Sequence, residues 1–505
     1  DTVEALAPVR AALASMSSED PLCVRLRGAC RTDPAWCRSM DQVGIIASTV
    51  DQVGSRMLLR GYGVSGGMKP IEAALVAHDS LIVVDEAHLS GPFMDTLGSL
   101  QDLAPVRNLP ARSQVVCMSA TLASSRGGFG LCEEDHQDEH LLHRLTGMRY
   151  VETSTDAVAK LVRGRDEPCL LLVANTVKTA LKWTKAVDTG RVRGDREVFL
   201  VTGRMRPADR DTMIERIEQR LTERLPTLVV STQCIEAGLD WDFHGMVSEC
   251  ASWDSLVQRM GRVNRAGTRM NPATCTIVPA TRYKNKSAAP GEAMCPVYGA
   301  HELSTWAWLE ESGPLMCTAG EMPTAPQGCC RVPASAPVLL PEYMHLWSQT
   351  RSSGPGYDVS LFLHGPQQDR AVQVIWRDID LSLGTSTIRS ILEALPPSSM
   401  EPALVPVWDL GRWLGDKPAL RISKSGGVEL VEGGIRAGDT VVVPCSYGGL
   451  GTHGTFSGAD GVVRDISKRV MLEGRGVQVW WHDAPKLAPD IPVHEQVRAW
   501  IDQDP

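Results

Sequence analysis

No GxxxxGKS or GxxxxGKT stretch occurs anywhere in these 505 residues, so the usual phosphate-cradling loop is missing from the sequence. No pair among the 14 cysteines stands as CxxC. Cys23, Cys30 and Cys37 recur every seven residues, which is not a usual zinc spacing. Scattered cysteines of this kind read as reduced thiols, mostly buried. No apolar run reaches 18 residues and no secretory leader is visible, so the expectation is a cytoplasmic protein with no membrane contact. An excess of positive charge is missing too. A net charge of −9 excludes a generally basic nucleic-acid coat, but not a local basic groove.

What is present is ordinary globular material. Hydrophobic residues make up 43% and charged residues 22%, and the length suggests about three domains. The first is built from apolar runs alternating with helical patterns. A helical pattern holds Val3, Leu6, Ala7, Val9 and Leu13. Strands are predicted at 22–26, 44–50, 81–84 and 115–118, with a helix over 51–60 and a Gly-, charge- and His-rich loop over 123–140. From about 151 the alternation restarts, with strands at 170–173, 198–201 and 228–230. Met213, Ile214, Ile217, Leu221 and Leu225 mark an amphipathic helix between the last two strands. Near-continuous apolar strands between helices predict an α/β fold with buried parallel sheets, twice over. Residues 268–300 and 325–340 read as linkers, with a short helix at Trp306, Trp308 and Leu309 between them. Past 357 the texture becomes strand-like at 359–363, 372–376, 404–408, 441–443 and 477–481.

The chemistry sits at the strand ends. Leu81-Ile82-Val83-Val84 runs straight into Asp85-Glu86-Ala87-His88. Charged groups at the rim of a core need a metal or a hydrogen-bonding partner. A strand-end Asp can hold Mg²⁺, and a following Glu can orient or deprotonate an attacking water. A lone Asp-Glu pair is most often an ordinary acidic turn, so its company decides. Val115 to Met118 ends in Ser119-Ala120-Thr121. In the second half, Ser231-Thr232-Gln233-Cys234-Ile235-Glu236-Ala237-Gly238-Leu239-Asp240 precedes Gln258-Arg259-Met260-Gly261-Arg262-Val263-Asn264-Arg265. Open α/β sheets bind ligands at the carboxyl ends of their strands, so two such lobes would face across a cleft. Arg262 and Arg265, three apart, would point one way on a helix and aim at a γ-phosphate.

The ordered set resembles a superfamily 2 helicase: DEAH is similar to its motif II, SAT to motif III, STQCIEAGLD to motif V and QRMGRVNRAG to motif VI. ASTVDQVGSRMLLRGYG, VVDEAHL and SECASWDSLVQRMGRVNR are similar to the helicase of type I CRISPR-Cas effector systems, most like its type I-G (formerly I-U) branch. The resemblance covers roughly 40–310 well and the C-terminal region loosely. It implies two RecA-like parallel-sheet lobes and a β-rich C-terminal domain, the first lobe N-terminally incomplete. The division would be 1–150, 151–285, a linker with helix over 286–356, and 357–505.

The resemblance also assigns roles. Asp85 would bind Mg²⁺ and Glu86 would activate water, with Arg262 and Arg265 completing the catalytic set. His88, Ser119, Thr121, Gly238, Asp240 and Gln258 would bind ATP or couple it to the strand. Thr49, Asn175, Thr176, Thr202, Thr232 and Gln233 would hold the nucleic-acid backbone. For each single Thr, capping or turn formation is about as good an account. The implied activity is an ATP-driven 3′→5′ translocase on single-stranded DNA, recruited by a Cascade-like CRISPR surveillance complex.

Two departures keep alternatives open. The sequence begins at Asp1, so the simplest expectation is an N-terminal truncation that removes the phosphate loop and leaves ATP hydrolysis weak or absent. The family's HD nuclease is not visible either. His482-Asp483 follows a strand-like run with no second His-Asp set around it, so the nuclease would be a separate chain or lie further C-terminal. A general DEAH-type RNA helicase and a non-hydrolysing nucleic-acid-binding fragment are the rival readings.

Overall fold

A computed structural model describes residues 7–467, apart from 16–19, 27–34, 39, 41, 63, 104–112, 120–129, 285–292, 333, 350–357, 367–370, 423–426, 432–433 and 452. The expected strand at 477–481, His482-Asp483 and Thr121 lie outside the described residues.

In the first lobe, β1 (Leu22–Leu26) pairs in parallel with β2 (Gly44–Ser48), and β3 (Leu81–Val84) pairs in parallel with β4 (Gln114–Cys117). Among the described residues these are two separate two-stranded sheets. The parallel pairing is as expected, but these strands are less buried than their apolar runs suggest. Leu81 is 62% exposed, Val83 50% and Met118 46%, so among the described residues one face of the β3–β4 pair has no cover. Parallel strands of this composition normally have helices on both faces.

The covered side has a compact core. Leu26, Leu58, Phe93 and Leu97 are buried there, together with Leu339, Trp347, Phe362 and Leu363 from far along the chain. Three of the latter come from helices Pro341–Trp347 and Ser360–His364. So 359–363 is mostly helix, not the strand its apolar run suggested. A short apolar run cannot distinguish the two by periodicity. Asp358 Oδ1 accepts from the Ser360 N–H at 2.9 Å and starts the turn, and Thr96 Oγ1 donates to the Phe362 carbonyl at 2.6 Å. Gly54 in helix Val50–Met57 permits the approach, since a Cβ there would meet Leu363 Cδ2 at 2.4 Å.

His364 Nε2 and Asp51 Oδ1, 2.8 Å apart, close this contact. The hydrogen bond to Asp51 raises the His364 pKa above its ordinary 6.5, against the opposing effect of burial. The same bond lowers the Asp51 pKa below 3.8. The stabilisation is therefore complete only between those two values, and it is lost as pH rises through the raised His364 pKa. Between about pH 6 and about pH 8 the first lobe should lose stability, and His364→Gln should flatten that slope. Denaturant titrations at both pH values check this, and parallel slopes in the two proteins would count against the pair.

The second lobe is built on one seven-stranded sheet. Its strands are β5 (Arg149–Thr153), β6 (Cys169–Val173), β7 (Glu197–Val201), β8 (Thr227–Ser231), β9 (Gly245–Glu249) and β10 (Ala273–Val278), plus Leu315–Cys317. Their order is 315–317, β5, β10, β9, β6, β8, β7. All pair in parallel except 315–317, which runs antiparallel to β5. Every residue of β6, β8 and β9 is buried, as unbroken apolar runs require. β10 corrects the reading of 268–300 as linker. Cys275 and Ile277 are fully buried between β5 and β9, although the Pro and Ser around them gave the stretch a loop-like composition. Helix Ala300–Ser312 also belongs to this lobe, and its fully buried Glu302 pairs with Arg282 at 3.1 Å.

Beyond 370 lies a mixed five-stranded sheet, ordered 403–406, 371–377, 440–444, 420–422, 428–430. It carries helices Thr385–Ala394 and Val407–Leu414, so the expected strand 404–408 becomes half strand and half helix, turning at Pro406. This unit is bonded to the second lobe through its backbone: Leu404 N–H to Arg204 O at 3.3 Å and Ala208 N–H to Met400 O at 3.1 Å. Among the described residues no helix is long and apolar enough to cross a membrane.

Candidate nucleotide site between the lobes

The two lobes enclose a cavity of about 1290 Å³. Asp85, Glu86 and His88 line it from the first lobe, and Gly238, Asp240, Gln258, Arg262 and Arg265 from the second. Eight of the positions assigned to the nucleotide thus share one space.

The first-lobe half is set by a sharp turn at the end of β3. Glu86 sits in the left-handed region, at φ 47° and ψ 47°, an arrangement that costs a non-glycine residue about 1–3 kcal/mol and clusters at functional sites. Asp85 Oδ1 accepts from the Glu86 N–H at 2.9 Å, and the Ala87 N–H reaches Met118 O at 3.0 Å, extending the β3–β4 ladder past the strand ends. His88 Nδ1 lies 2.8 Å from Ser119 Oγ and 3.5 Å from Glu86 Oε2. Glu86 Oε2 and His88 Nε2 are buried without a hydrogen-bond partner, as is Gln258 Nε2 opposite. Orphaned buried polar atoms are costly, and here they belong to residues facing a roomy cavity. Among the described residues no three His, Cys, Asp or Glu side chains gather to hold a metal. The residues present fit Mg²⁺, which typically takes one or two carboxylates and completes its shell with phosphates and water.

The second-lobe half differs from expectation in one respect. Helix Trp253–Met260 ends before Arg262, with Gly261 as its cap. Arg262 and Arg265 lie instead on the following turn, where Asn264 adopts φ 47°. Arg262 is 5% exposed and donates from Nε to Ile235 O at 3.0 Å and from Nη2 to Glu236 O at 2.8 Å. Burial and then Arg265 lower its pKa, while the carboxylates of Glu86, Asp240 and Asp85 oppose the shift. Arg265 pairs with Asp240 through Nε.

Arg259, three residues before Arg262, faces the interior. Its fully buried guanidinium reaches Glu236 Oε1 and Ser248 Oγ at 2.9 Å, Tyr298 OH at 2.8 Å and Asn175 Oδ1 at 3.1 Å. Glu236 and Arg259 hold the site without facing it, and the sequence reading passed over both. The packing positions of Leu256 and Met260 on the same helix could have flagged Arg259.

The strand-contact set does not join this cavity. Asn175 is 2% exposed, its side chain donating to Cys250 O at 2.7 Å and accepting from Arg259. Thr202 is fully buried against Thr455, and Thr232 is 5% exposed with its hydroxyl on Cys234 Sγ. Thr176 caps helix Val177–Val187, accepting from the Thr179 N–H at 3.1 Å. Gln233 Nε2 is bonded to Asn175 O at 2.7 Å. Asn175, Thr202 and Thr232 are thus turned into the fold, as a strand end can turn its polar residue inward as readily as outward, while Thr176 and Gln233 stay part-exposed. Thr49 remains exposed, with no cap hydrogen bond from its side chain.

A segment not anticipated from sequence forms the third wall. Residues between Ala319 and Ala334 line the cavity. The Trp253 indole N–H donates to Pro323 O at 3.1 Å and Arg331 pairs with Asp254 at 2.9 Å, fixing this strap to the second lobe. The Ala336 N–H then reaches Asp95 Oδ2 of the first lobe at 3.0 Å.

Strand-end carboxylates on one parallel-sheet lobe, facing an arginine turn on a second, are the arrangement that the sequence resemblance to superfamily 2 helicases implies. Residues 166–268 match the family described as CRISPR-associated nuclease/helicase Cas3, C-terminal. Within its second lobe the chain is thus similar to the Cas3 helicases. It is 30% identical over 111 residues to the CRISPR-associated nuclease/helicase Cas3 of Methanothermobacter thermautotrophicus, covering 22% of this chain and 13% of that protein. It is 25% identical over 244 residues to the CRISPR-associated helicase Cas3 of Thermoproteus tenax, covering 45% of this chain and 39% of the relative. The matches therefore span well under half of either relative. Among solved structures, the T. fusca Cas3-ATP crystal structure aligns with a TM-score of 0.49 at 14% identity, over 88% of this chain and 60% of the other.

Proposed function

We propose that the cavity binds ATP and that the chain is the motor of a 3′→5′ single-stranded DNA translocase acting in CRISPR interference. The observation that carries this is the convergence of Asp85 and Glu86 with Gln258, Arg262 and Arg265 on one cleft between two lobes. Asp85 would hold Mg²⁺ with the nucleotide's phosphates, and the ion would supply charge neutralisation there. Glu86 would take a proton from the attacking water. Arg262 and Arg265 would meet charge developing on the γ-phosphate. A nucleotide spanning the cleft draws the lobes together, and its loss lets them part, which is how such a motor steps. The His88–Ser119 contact links the carboxylate turn to the end of β4 and offers a route for that coupling. Thr49 is the strand-contact residue whose exposure suits the role.

The wider assignment follows the curated relatives, which are CRISPR-associated helicases by name. On that basis a Cascade-like surveillance complex would recruit the chain to its DNA. Within the family we place the chain nearest the type I-G branch, with its HD nuclease elsewhere. Titration with a fluorescent ATP analogue and Mg²⁺, followed by ATP turnover with and without single-stranded DNA and RNA, tests the reading. Nucleotide binding is expected, with turnover by this chain weak or absent for want of a GxxxxGKS or GxxxxGKT loop, and DNA-stimulated turnover is the result that would overturn that expectation. RNA-selective stimulation would support a general DEAH-type helicase, and nucleic-acid binding without nucleotide binding would support a non-hydrolysing fragment.

A further inference from the structure

Arg149, the first residue of β5, lies far in sequence from every motif named above. It is 1% exposed, yet it reaches the underside of the arginine turn. Its Nε donates to Met260 O at 2.9 Å and Val263 O at 2.8 Å, and its Nη2 to Asn264 O at 3.4 Å. Nη1 bonds Gly147 O at 3.2 Å. Among the described residues it has no carboxylate in ion-pair range, and burial lowers its pKa below the ordinary 12.5. A buried charge paired only with carbonyls is an expensive way to fill space. The expense makes sense where those carbonyls must be fixed. Three of them belong to the residues that bracket Arg262 and carry the backbone on to Arg265.

The other side of the turn is held by amides. Asp242 Oδ1 accepts from the Arg265 N–H at 2.8 Å, and Asp242 Oδ2 from the Ala266 N–H at 3.3 Å. Just beyond, Gly267 at φ 69° passes so close to the helix Glu139–Thr146 that a Cβ would lie 1.6 Å from His143 O. Gly147 faces the same spot, its notional Cβ 2.8 Å from Gly267 Cα. The turn is thus clamped from both sides, on one of them by the chain that enters β5.

We propose that Arg149 is a positioning residue for the nucleotide site: its guanidinium, opposed by Asp242, sets the 260–267 turn so that Arg262 and Arg265 face the carboxylates of Asp85 and Glu86. The proposal rests on the reading of the cleft as a nucleotide site for its function, but not for its structural content. Lysine keeps the charge and length while losing the fork that spans three carbonyls.

The test is a double-mutant comparison on the full chain with two readouts. Hydrogen exchange is followed in peptides covering 260–267, with β6 and β9 as internal controls. Affinity for the fluorescent ATP analogue with Mg²⁺ is measured for wild type, Arg149→Lys, Arg262→Ala and the double variant. Exchange in 260–267 should accelerate by about tenfold or more in Arg149→Lys while β6 and β9 stay protected. Affinity should fall as it does in Arg262→Ala, and the double variant should lose little more, because Arg149 acts through that turn. Unchanged exchange in the turn, or faster exchange spread evenly through the sheet, overturns the proposal. So do additive affinity losses. If wild type binds no nucleotide, the functional reading of the cleft fails, and the exchange comparison alone still decides the role of Arg149.

Discussion

Arg259→Ala should destabilise the second lobe by about 3–5 kcal/mol, the range for removing one partner of a buried ion pair. The side chain is fully buried and ends in a polar nest of Glu236, Ser248, Asn175, Tyr298 and the Glu249 carbonyl. Without it, Glu236, 4% exposed, keeps only Ser255 Oγ and Tyr298 OH, both at 3.2 Å. An ionised carboxylate so placed must be protonated or hydrated, and either course opens the core beneath Val263 and Met260. Changing Glu236→Gln together with Arg259→Met should recover part of the loss, since the uncompensated charge goes with its partner. Denaturant unfolding followed through the buried indoles of Trp241 and Trp253 reads the effect. A shift under about 1 kcal/mol would mean the network is hydrated and its burial unimportant. Loss of the lobe also dismantles the site, because Arg262 hangs on the carbonyls of Ile235 and Glu236.

The contrast between Arg259 and Arg262 shows where sequence reasoning stops. Both sit in one ten-residue motif with identical chemistry, and spacing alone marks neither as structural or functional. Neighbouring packing separates them: Arg259 shares its helix with buried Leu256 and Met260, whereas Arg262 follows a helix-ending Gly261. The convergence of Asp85, Glu86 and Asp240 was legible, because residues that follow the carboxyl ends of parallel strands have one edge on which to meet, whereas Arg265 reaches the cavity from the turn after helix Trp253–Met260. The inward turn of Asn175, Thr202 and Thr232 was not. A hydroxyl or amide at a strand end serves caps and buried networks as readily as ligands, and the difference lies in partners far along the chain, such as Thr455 for Thr202. The strap at 319–336 was hidden by its composition. Pro and Ala read as linker, yet backbone carbonyls such as Pro323 O and an ion pair from Arg331 hold it in place. The uncovered face of β3 and β4 has the opposite character: its Leu81, Val83, Val116 and Met118 have the apolar pattern of a buried strand without the burial.

Glu86→Gln is the substitution that separates chemistry from binding at this site. Where ATP turnover is measured, it should fall by about 10²–10⁴, the usual contribution of a positioned general base. Affinity for Mg²⁺–nucleotide should stay within about threefold, because Asp85 and the arginine turn are left intact and glutamine keeps the shape of the side chain. The geometry supports a split of this kind. Glu86 is held in the left-handed conformation at φ 47°, its backbone N–H taken by Asp85 and one carboxylate oxygen buried without a hydrogen-bond partner. Strain and an unsatisfied acceptor both persist when the surrounding fold over-determines them and a ligand repays them. On the proposed role of Glu86 as base, the substituted side chain would present an amide N–H where a proton is to be accepted, so binding should survive while proton transfer should not. Single-turnover measurements at saturating nucleotide read the chemical step directly. Equal losses in binding and turnover would recast Glu86 as a ligand-holding residue, and unchanged turnover would move the base elsewhere in the cleft.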